Sequence, residues 1–143
     1  CTTQHTSEKT PMMTLLVIDN NPGDRHLIDT ILRHKGYEVL LAENGQEGLE
    51  LFRREHPDVI VLDLKLEDMD GTTVLRHIRS LNPNQRVIIY SGACDPKTEQ
   101  QIRALGITEI VKKSCSLDHL EEALEHALKF PDPGEAGVQE GKR

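Results

Sequence analysis

Val59-Ile60-Val61-Leu62-Asp63-Leu64-Lys65-Leu66-Glu67-Asp68-Met69-Asp70-Gly71 runs four consecutive apolar residues into an aspartate, follows it with a short acidic loop and closes on a glycine. A continuous apolar run of this length, bounded by turn signals, suits a strand buried on both faces, as in a parallel sheet. Asp63 is then carried to the carboxyl end of that strand. In an open α/β sheet, ligands and chemistry collect on that edge. The flanking chain reads as a scaffold that presents this one carboxylate.

On the N-terminal side, His56-Pro57 breaks a weaker helix over 48–55, anchored by Leu49 and Phe52 and preceded by a turn at Asn44-Gly45. Residues 37–41 read as a strand with Glu38 at the surface. Before it, Asn21 as N-cap and Pro22 as first helical residue start a helix. Leu27, Ile28, Ile31 and Leu32 give that helix its apolar stripe, and Gly36 stops it. Residues 15–18 form a short buried strand running into Asp19-Asn20.

On the C-terminal side, residues 72–81 read as a helix with Val74, Leu75, Ile78 and Leu81 on one face. Asn82-Pro83-Asn84 turns the chain into a strand over 87–90, which ends at Ser91-Gly92. Asp95-Pro96 starts a mostly polar helix held by Ile102 and Leu105 and closed by Gly106. A short strand over 109–111 ends at Lys112-Lys113. Ser116 then caps the last helix, with Leu117, Leu120, Leu124, Ala127 and Leu128 at helical spacing. Five strands alternating with five helices predict an α/β domain, a doubly wound five-stranded parallel sheet covered on both faces. The domain is expected over 14–129, with a disordered lead-in over 1–13 and a disordered tail over 130–143.

Composition removes several function classes. The 143 residues carry 24 acidic against 17 basic side chains, a formal charge of −7. Phosphate contacts need a basic face, so nucleic acid is not expected as a direct partner. Arg53-Arg54 and Lys112-Lys113 are mere doublets in mixed neighbourhoods. Cys1, Cys94 and Cys115 are odd in number and lack metal-ligand spacing, which favours a reducing, cytoplasmic setting. No apolar run approaches the roughly 18 residues of a membrane span, and no signal peptide is recognisable, so no membrane association is expected. Cys1 reads as a fragment boundary rather than a lipidated residue.

Asp19 ends the first predicted strand, Asp63 the third and Ser91 the fourth, while Lys113 follows the fifth. A strand order with the first beside the third would bring them together. Two carboxylates, a hydroxyl and an ammonium are a kit for phosphoryl transfer to Asp63. Oxygen ligands hold a divalent cation, Lys113 neutralises phosphoryl oxygens, and Ser91 donates a hydrogen bond. Each residue also has a plainer reading: Asp63 and Asp19 as acceptors near turns and helix starts, Ser91 as a turn hydroxyl, Lys113 as a solvated charge. Their joint occurrence in register favours the functional reading. Glu67, Asp68 and Asp70 read as a solvated loop rather than a metal cluster. His119, Glu122 and His126 read as the polar side of the last helix.

At these residues the sequence resembles the receiver domain of bacterial response regulators, over about residues 14–129. The resemblance rests on Val17-Ile18-Asp19, on Leu62-Asp63 with Met69-Asp70-Gly71, on Tyr90-Ser91-Gly92 and on Lys113. Asn44-Gly45 and Ala104-Leu105-Gly106 match at less diagnostic positions. It implies a flavodoxin-like (βα)5 receiver fold and a place in a two-component phosphorelay. Asp63 would accept a phosphoryl group from a histidine kinase or histidine phosphotransfer protein. Mg²⁺ would be held by Asp19, by the residue at Asn20, by Asp63 and by the backbone carbonyl of Lys65. Ser91 would move toward the phosphoryl group, Gly92 would keep the neighbouring space open, and Lys113 would supply the ammonium. The resemblance implies a signalling switch rather than an enzyme, with only self-catalysed phosphoryl transfer and dephosphorylation. Its message would leave through residues 95–128, to a downstream effector protein or a fused output domain.

Three positions depart from that pattern. Asn20 stands where the family commonly has a second acid, so weaker Mg²⁺ binding is expected. Ile110 stands at the aromatic switch position, and a rotating tyrosine cannot report phosphorylation there. Ser114-Cys115 replaces the usual proline and aromatic after Lys113, so a cis peptide is not favoured. These departures motivate an alternative, a phosphorylation-independent pseudo-receiver acting as a protein-interaction module. Two enzyme folds are excluded. A dehalogenase-like phosphatase needs an acid where Lys65 stands, and Asn20-Asn21-Pro22-Gly23 is no nucleotide- or flavin-binding phosphate loop.

Overall fold

A computed structural model describes residues 13–92, 94–107, 109–113 and 117–129. Ten elements alternate along the chain: β1 (Thr14–Ile18), α1 (Pro22–His34), β2 (Glu38–Ala42), α2 (Gly45–Glu55), β3 (Val59–Leu62), α3 (Gly71–Leu81), β4 (Arg86–Ser91), α4 (Pro96–Leu105), β5 (Glu109–Lys112) and α5 (Leu117–Lys129). The strands form one five-stranded sheet in the order β2-β1-β3-β4-β5. Every neighbouring pair is parallel. This is the doubly wound α/β sheet that the alternating pattern predicts.

The interior strands are apolar through their middle residues because both faces are covered. Leu15 and Val17 of β1, with Val59 and Val61 of β3, pack beneath Ile28 and Leu32 of α1 and Leu120 and Leu124 of α5. The alternate residues Leu16, Ile18, Ile60 and Leu62 pack beneath Phe52 of α2, Ile78 of α3 and Ile102 of α4. Successive side chains of a strand point to opposite faces, so one strand feeds both layers.

Local signals set the helix starts. The Asn21 side chain accepts the Asp24 N–H, with Pro22 in the first turn, as the sequence predicts. Asp95 likewise caps α4 by accepting the Thr98 N–H. The predicted turn at Asn44-Gly45 is instead the start of α2, three residues before the expected onset at Gly48. Asn44 accepts the Glu47 N–H, and the Asp68 carboxylate accepts the N–H groups of Gly45 and Gln46 at 2.8 and 2.9 Å. An acid 23 residues downstream supplies this extra cap, which no local pattern could register.

Two apolar residues leave their predicted faces. Leu27 is 48% and Leu81 55% exposed. Ile28 and Leu32, four residues apart, define the buried line of α1, and Leu27 lies about 100° round the helix from Ile28. Strand ends also shift by a residue: β2 covers Glu38–Ala42, β4 takes in Ser91, and β5 takes in Lys112. The expectations for the lead-in (but for residue 13), the Ser116 cap, the peptide after Lys113 and the tail over 130–143 fall outside the described residues.

Candidate functional site

The strand order places β1 directly between β2 and β3. Ile18 pairs with Leu62, so the next residues, Asp19 and Asp63, emerge side by side at the carboxyl edge. Backbone bonds fix their positions: the Asp19 N–H donates to the Ala42 carbonyl at 3.0 Å and the Asp63 N–H to the Ile18 carbonyl at 2.9 Å. Both residues are buried. Ser91, also buried, closes β4, and its carbonyl accepts the Lys113 N–H at 2.9 Å. Residues far apart in sequence thus share one end of the sheet.

Lys113 sits at the centre of this edge. Its Nζ lies 2.9 Å from Asp19 Oδ2, 3.2 Å from Asp63 Oδ2 and 2.8 Å from Asp24 Oδ2. Its ammonium also stands 5.7 Å from the centre of the Tyr90 ring, within cation–π range. Burial opposes the lysine charge, but Asp24, Asp19 and Asp63 outweigh it and hold the ammonium well above its ordinary pKa. At Asp19 burial prevails and Asp63 adds to it, against the Asn21 N–H and Lys113, so that carboxyl titrates above its usual value. The Asn21 N–H donates to Asp19 Oδ1 at 2.9 Å, and Arg25 donates to the Asp19 carbonyl at 2.6 Å.

The predicted residues therefore do not all stand alike. Asp19, Asp63 and Lys113 come into direct contact, and Ser91 joins them through the backbone. Asn20 is exposed at the rim. Lys65 is exposed, and its N–H approaches Asp63 Oδ1 at 3.3 Å. Gly71 closes the loop tightly: a Cβ there would lie 2.5 Å from the Asp63 carbonyl oxygen. A Cβ at Gly92 would meet nothing within 4 Å, in keeping with the open space expected beside it. Asp24 was not singled out by the sequence pattern, and Tyr90 entered it only within the Tyr90-Ser91-Gly92 motif, with no role beside Lys113. The signal for Asp24 was its place in the first turn of the helix that leaves β1.

Asp68 is exposed, as expected of a solvated loop, but it also makes contacts that reading did not foresee. Its slight burial works against its charge, but the Gln46 and Gly45 N–H groups prevail and hold its carboxyl below the usual value. It ties the Asp63 loop to the start of α2. His119, Glu122 and His126 lie on the exposed side of α5, as expected. Ile110 is half-buried and packs against the α2–α4 layer. An open cleft of about 460 Å³ lies beside the site between α3 and α4, lined by Lys65, Asp70, Arg76, Cys94 and Gln101 among others. Asp19, Asp63 and Lys113 lie outside its lining.

No three His, Cys, Asp or Glu side chains among the described residues are placed to hold a metal ion together. The donor chemistry nonetheless fits Mg²⁺, which is commonly held by one or two carboxylates while keeping several waters. Asp19 and Asp63 supply two such carboxylates at adjoining strand ends.

Comparisons with known proteins agree with this fold. The model of the response regulator receiver domain matches residues 15–125. Sporulation initiation phosphotransferase F of Bacillus subtilis (strain 168) is 29% identical over 114 residues, covering 80% of this chain and 92% of that protein. The transcriptional regulatory protein GlrR of Escherichia coli (strain K12) is 31% identical over 119 residues, which cover 83% of this chain but 27% of the regulator. The chain thus spans about a quarter of the length of the transcriptional regulators it matches. Among solved structures, a response regulator receiver domain from Clostridium thermocellum superimposes with a TM-score of 0.77 at 29% identity, covering 82% of this chain and 95% of that one. The response regulator TrrA of Thermotoga maritima, in complex with Mg²⁺-BeF, gives a TM-score of 0.73 at 28% identity, covering 81% of this chain and 99% of that one.

Proposed function

The chain belongs to the response regulator receiver domain family, and from that premise we propose that it is a phosphoacceptor switch of a two-component phosphorelay, with Asp63 as the residue that takes the phosphoryl group. One observation carries the reading: a single ammonium, Lys113 Nζ, bridges the buried carboxylates of Asp63 and Asp19 at the carboxyl edge of the sheet. Asp63 is the nucleophile because it ends the central strand and leads into the loop closed by Gly71.

A carboxylate oxygen of Asp63 attacks the phosphorus of a phosphohistidine on a histidine kinase or phosphotransfer protein. The new O–P bond forms as the P–N bond breaks, and the imidazole leaves with the electron pair. Lys113 neutralises the charge on the phosphoryl oxygens, an electrostatic aid strengthened by its buried surroundings. Ser91, at the end of β4 and tied through its carbonyl to the backbone of Lys113, donates its hydroxyl to the phosphoryl group. Asp19 and Asp63, the Asn20 side-chain oxygen and the Lys65 carbonyl are the groups that would hold Mg²⁺. When bound, that ion supplies positive charge against the phosphoryl oxygens.

The receiver unit runs over 14–129, with 1–13 and 130–143 flanking it. Its output passes by protein contact to a downstream effector or a fused output domain, and its setting is the cytoplasm. No described helix is long and apolar enough to cross a membrane. The relation to both a phosphotransferase and transcriptional regulators supports a relay role without selecting the partner.

The test is to incubate the protein with acetyl phosphate, with and without Mg²⁺, and to follow its intact mass. A Mg²⁺-dependent phosphoryl adduct, absent from Asp63→Ala, is the expected result. Well-folded protein that takes no adduct from acetyl phosphate or from a phosphorylated histidine donor would overturn the proposal and favour a phosphate-independent module.

A further inference from the structure

We propose that Asp24 is a positioning residue for Lys113, holding its ammonium in the resting site and releasing it when a phosphoryl group arrives on Asp63. The proposal rests on the phosphoacceptor reading above. Lys113 has three carboxylate partners, and Asp24 is in the shortest contact at 2.8 Å, against 2.9 Å for Asp19 and 3.2 Å for Asp63. The three differ in what losing the ammonium would cost. The side chains of Asp19 and Asp63 are 2% and 7% exposed, so neither can turn to water for compensation. The Asp24 side chain is 33% exposed and can rehydrate.

Asp24 is also supported from its own helix. Its backbone N–H donates to the Asn21 cap at 2.9 Å, which fixes it in the first turn of α1. A carboxylate there is favoured by the helix N-terminus whether or not a cation faces it. A phosphoryl group on Asp63 adds negative charge and new acceptor oxygens, and the ammonium then gains more at Asp63 than at Asp24. The exchange is one of ion-pair partners and makes or breaks no covalent bond. Asp24 therefore acts as a brake on phosphoryl occupancy, since its hold on Lys113 must be given up each time.

Beryllofluoride, titrated into the full chain at saturating Mg²⁺ and read by the rise in melting temperature, is the test. Asp24→Asn is expected to lower the half-saturating concentration about two- to fivefold, the scale of one partly exposed ion pair. Asp24→Glu, which keeps the charge, stays near wild type. In the ligand-free protein, ¹⁵N spectra of the lysine ammonium groups should show Lys113 protected from exchange in the wild type and less protected in Asp24→Asn. Unchanged or weakened beryllofluoride binding by Asp24→Asn overturns the proposal. So does tighter binding with an unaltered Lys113 signal, which would assign the gain to simple charge repulsion. A wild-type chain that binds no beryllofluoride overturns the phosphoacceptor reading and this proposal with it.

Discussion

Among the described residues, three carboxylates meet the one ammonium of Lys113 and leave an excess of negative charge at the site. The Arg25 guanidinium is turned to the Asp19 carbonyl and to Glu43 instead. Like charges held within a few ångströms in a partly buried setting repel, so the ligand-free site is under electrostatic tension. The Asp63→Asn substitution keeps the shape and removes one of those charges. In metal-free buffer it is expected to stabilise the fold by about 1 kcal/mol. The measurement is the urea midpoint at unchanged m-value; a midpoint that falls would mean that the Asp63 charge is more than compensated by Lys113. Asp24 belongs to the same residue-scale balance, which is why its removal is expected to act on phosphoryl-analogue binding.

Between elements, Asp68 does the joining. It lies in the loop between Asp63 and α3, yet its carboxylate caps the first N–H groups of α2. Asp68→Ala leaves those donors to water and is expected to cost about 1 kcal/mol at neutral pH. The native carboxyl is held below its ordinary value, so the unfolded chain binds its proton first as the pH falls. Its stabilisation is thus complete above that value and is lost as the pH drops through the lower native pKa. Urea unfolding of wild type and Asp68→Ala should differ at pH 7 and converge in strong acid; a gap that persists in acid would deny the carboxylate its capping role. At the other end of α3, Arg79 donates to the carbonyls of Leu105 and Gly106 at the end of α4. The two helices beside the cleft are thereby pinned at the edge opposite to the site.

For the whole molecule, a cation that binds only the folded chain must raise its global stability. If Asp19 and Asp63 hold Mg²⁺, the ion at a hundred times its dissociation constant adds about 2.7 kcal/mol. Thermal melts across a Mg²⁺ series should rise logarithmically above that constant, and the rise should be largely lost in Asp63→Asn. Equal shifts in both proteins would place the ion elsewhere. The (βα)5 order and the two-faced core were legible from local pattern, since strands buried on both sides carry continuous apolar runs and most helix caps act within one turn. The sequence also named Asp19, Asp63 and Ser91, because each stands at the end of an apolar run, and Lys113 through the resemblance to receiver domains. What meets Lys113 could be known only from the folded chain, for it lies 94 residues from Asp19, 89 from Asp24 and 50 from Asp63. The fold alone also turned Leu27 and Leu81 outward and gave Asp68 to α2. Periodicity and capping are local properties of the chain, whereas ion pairs and buried faces depend on which strands become neighbours, and that is set by packing the whole sheet.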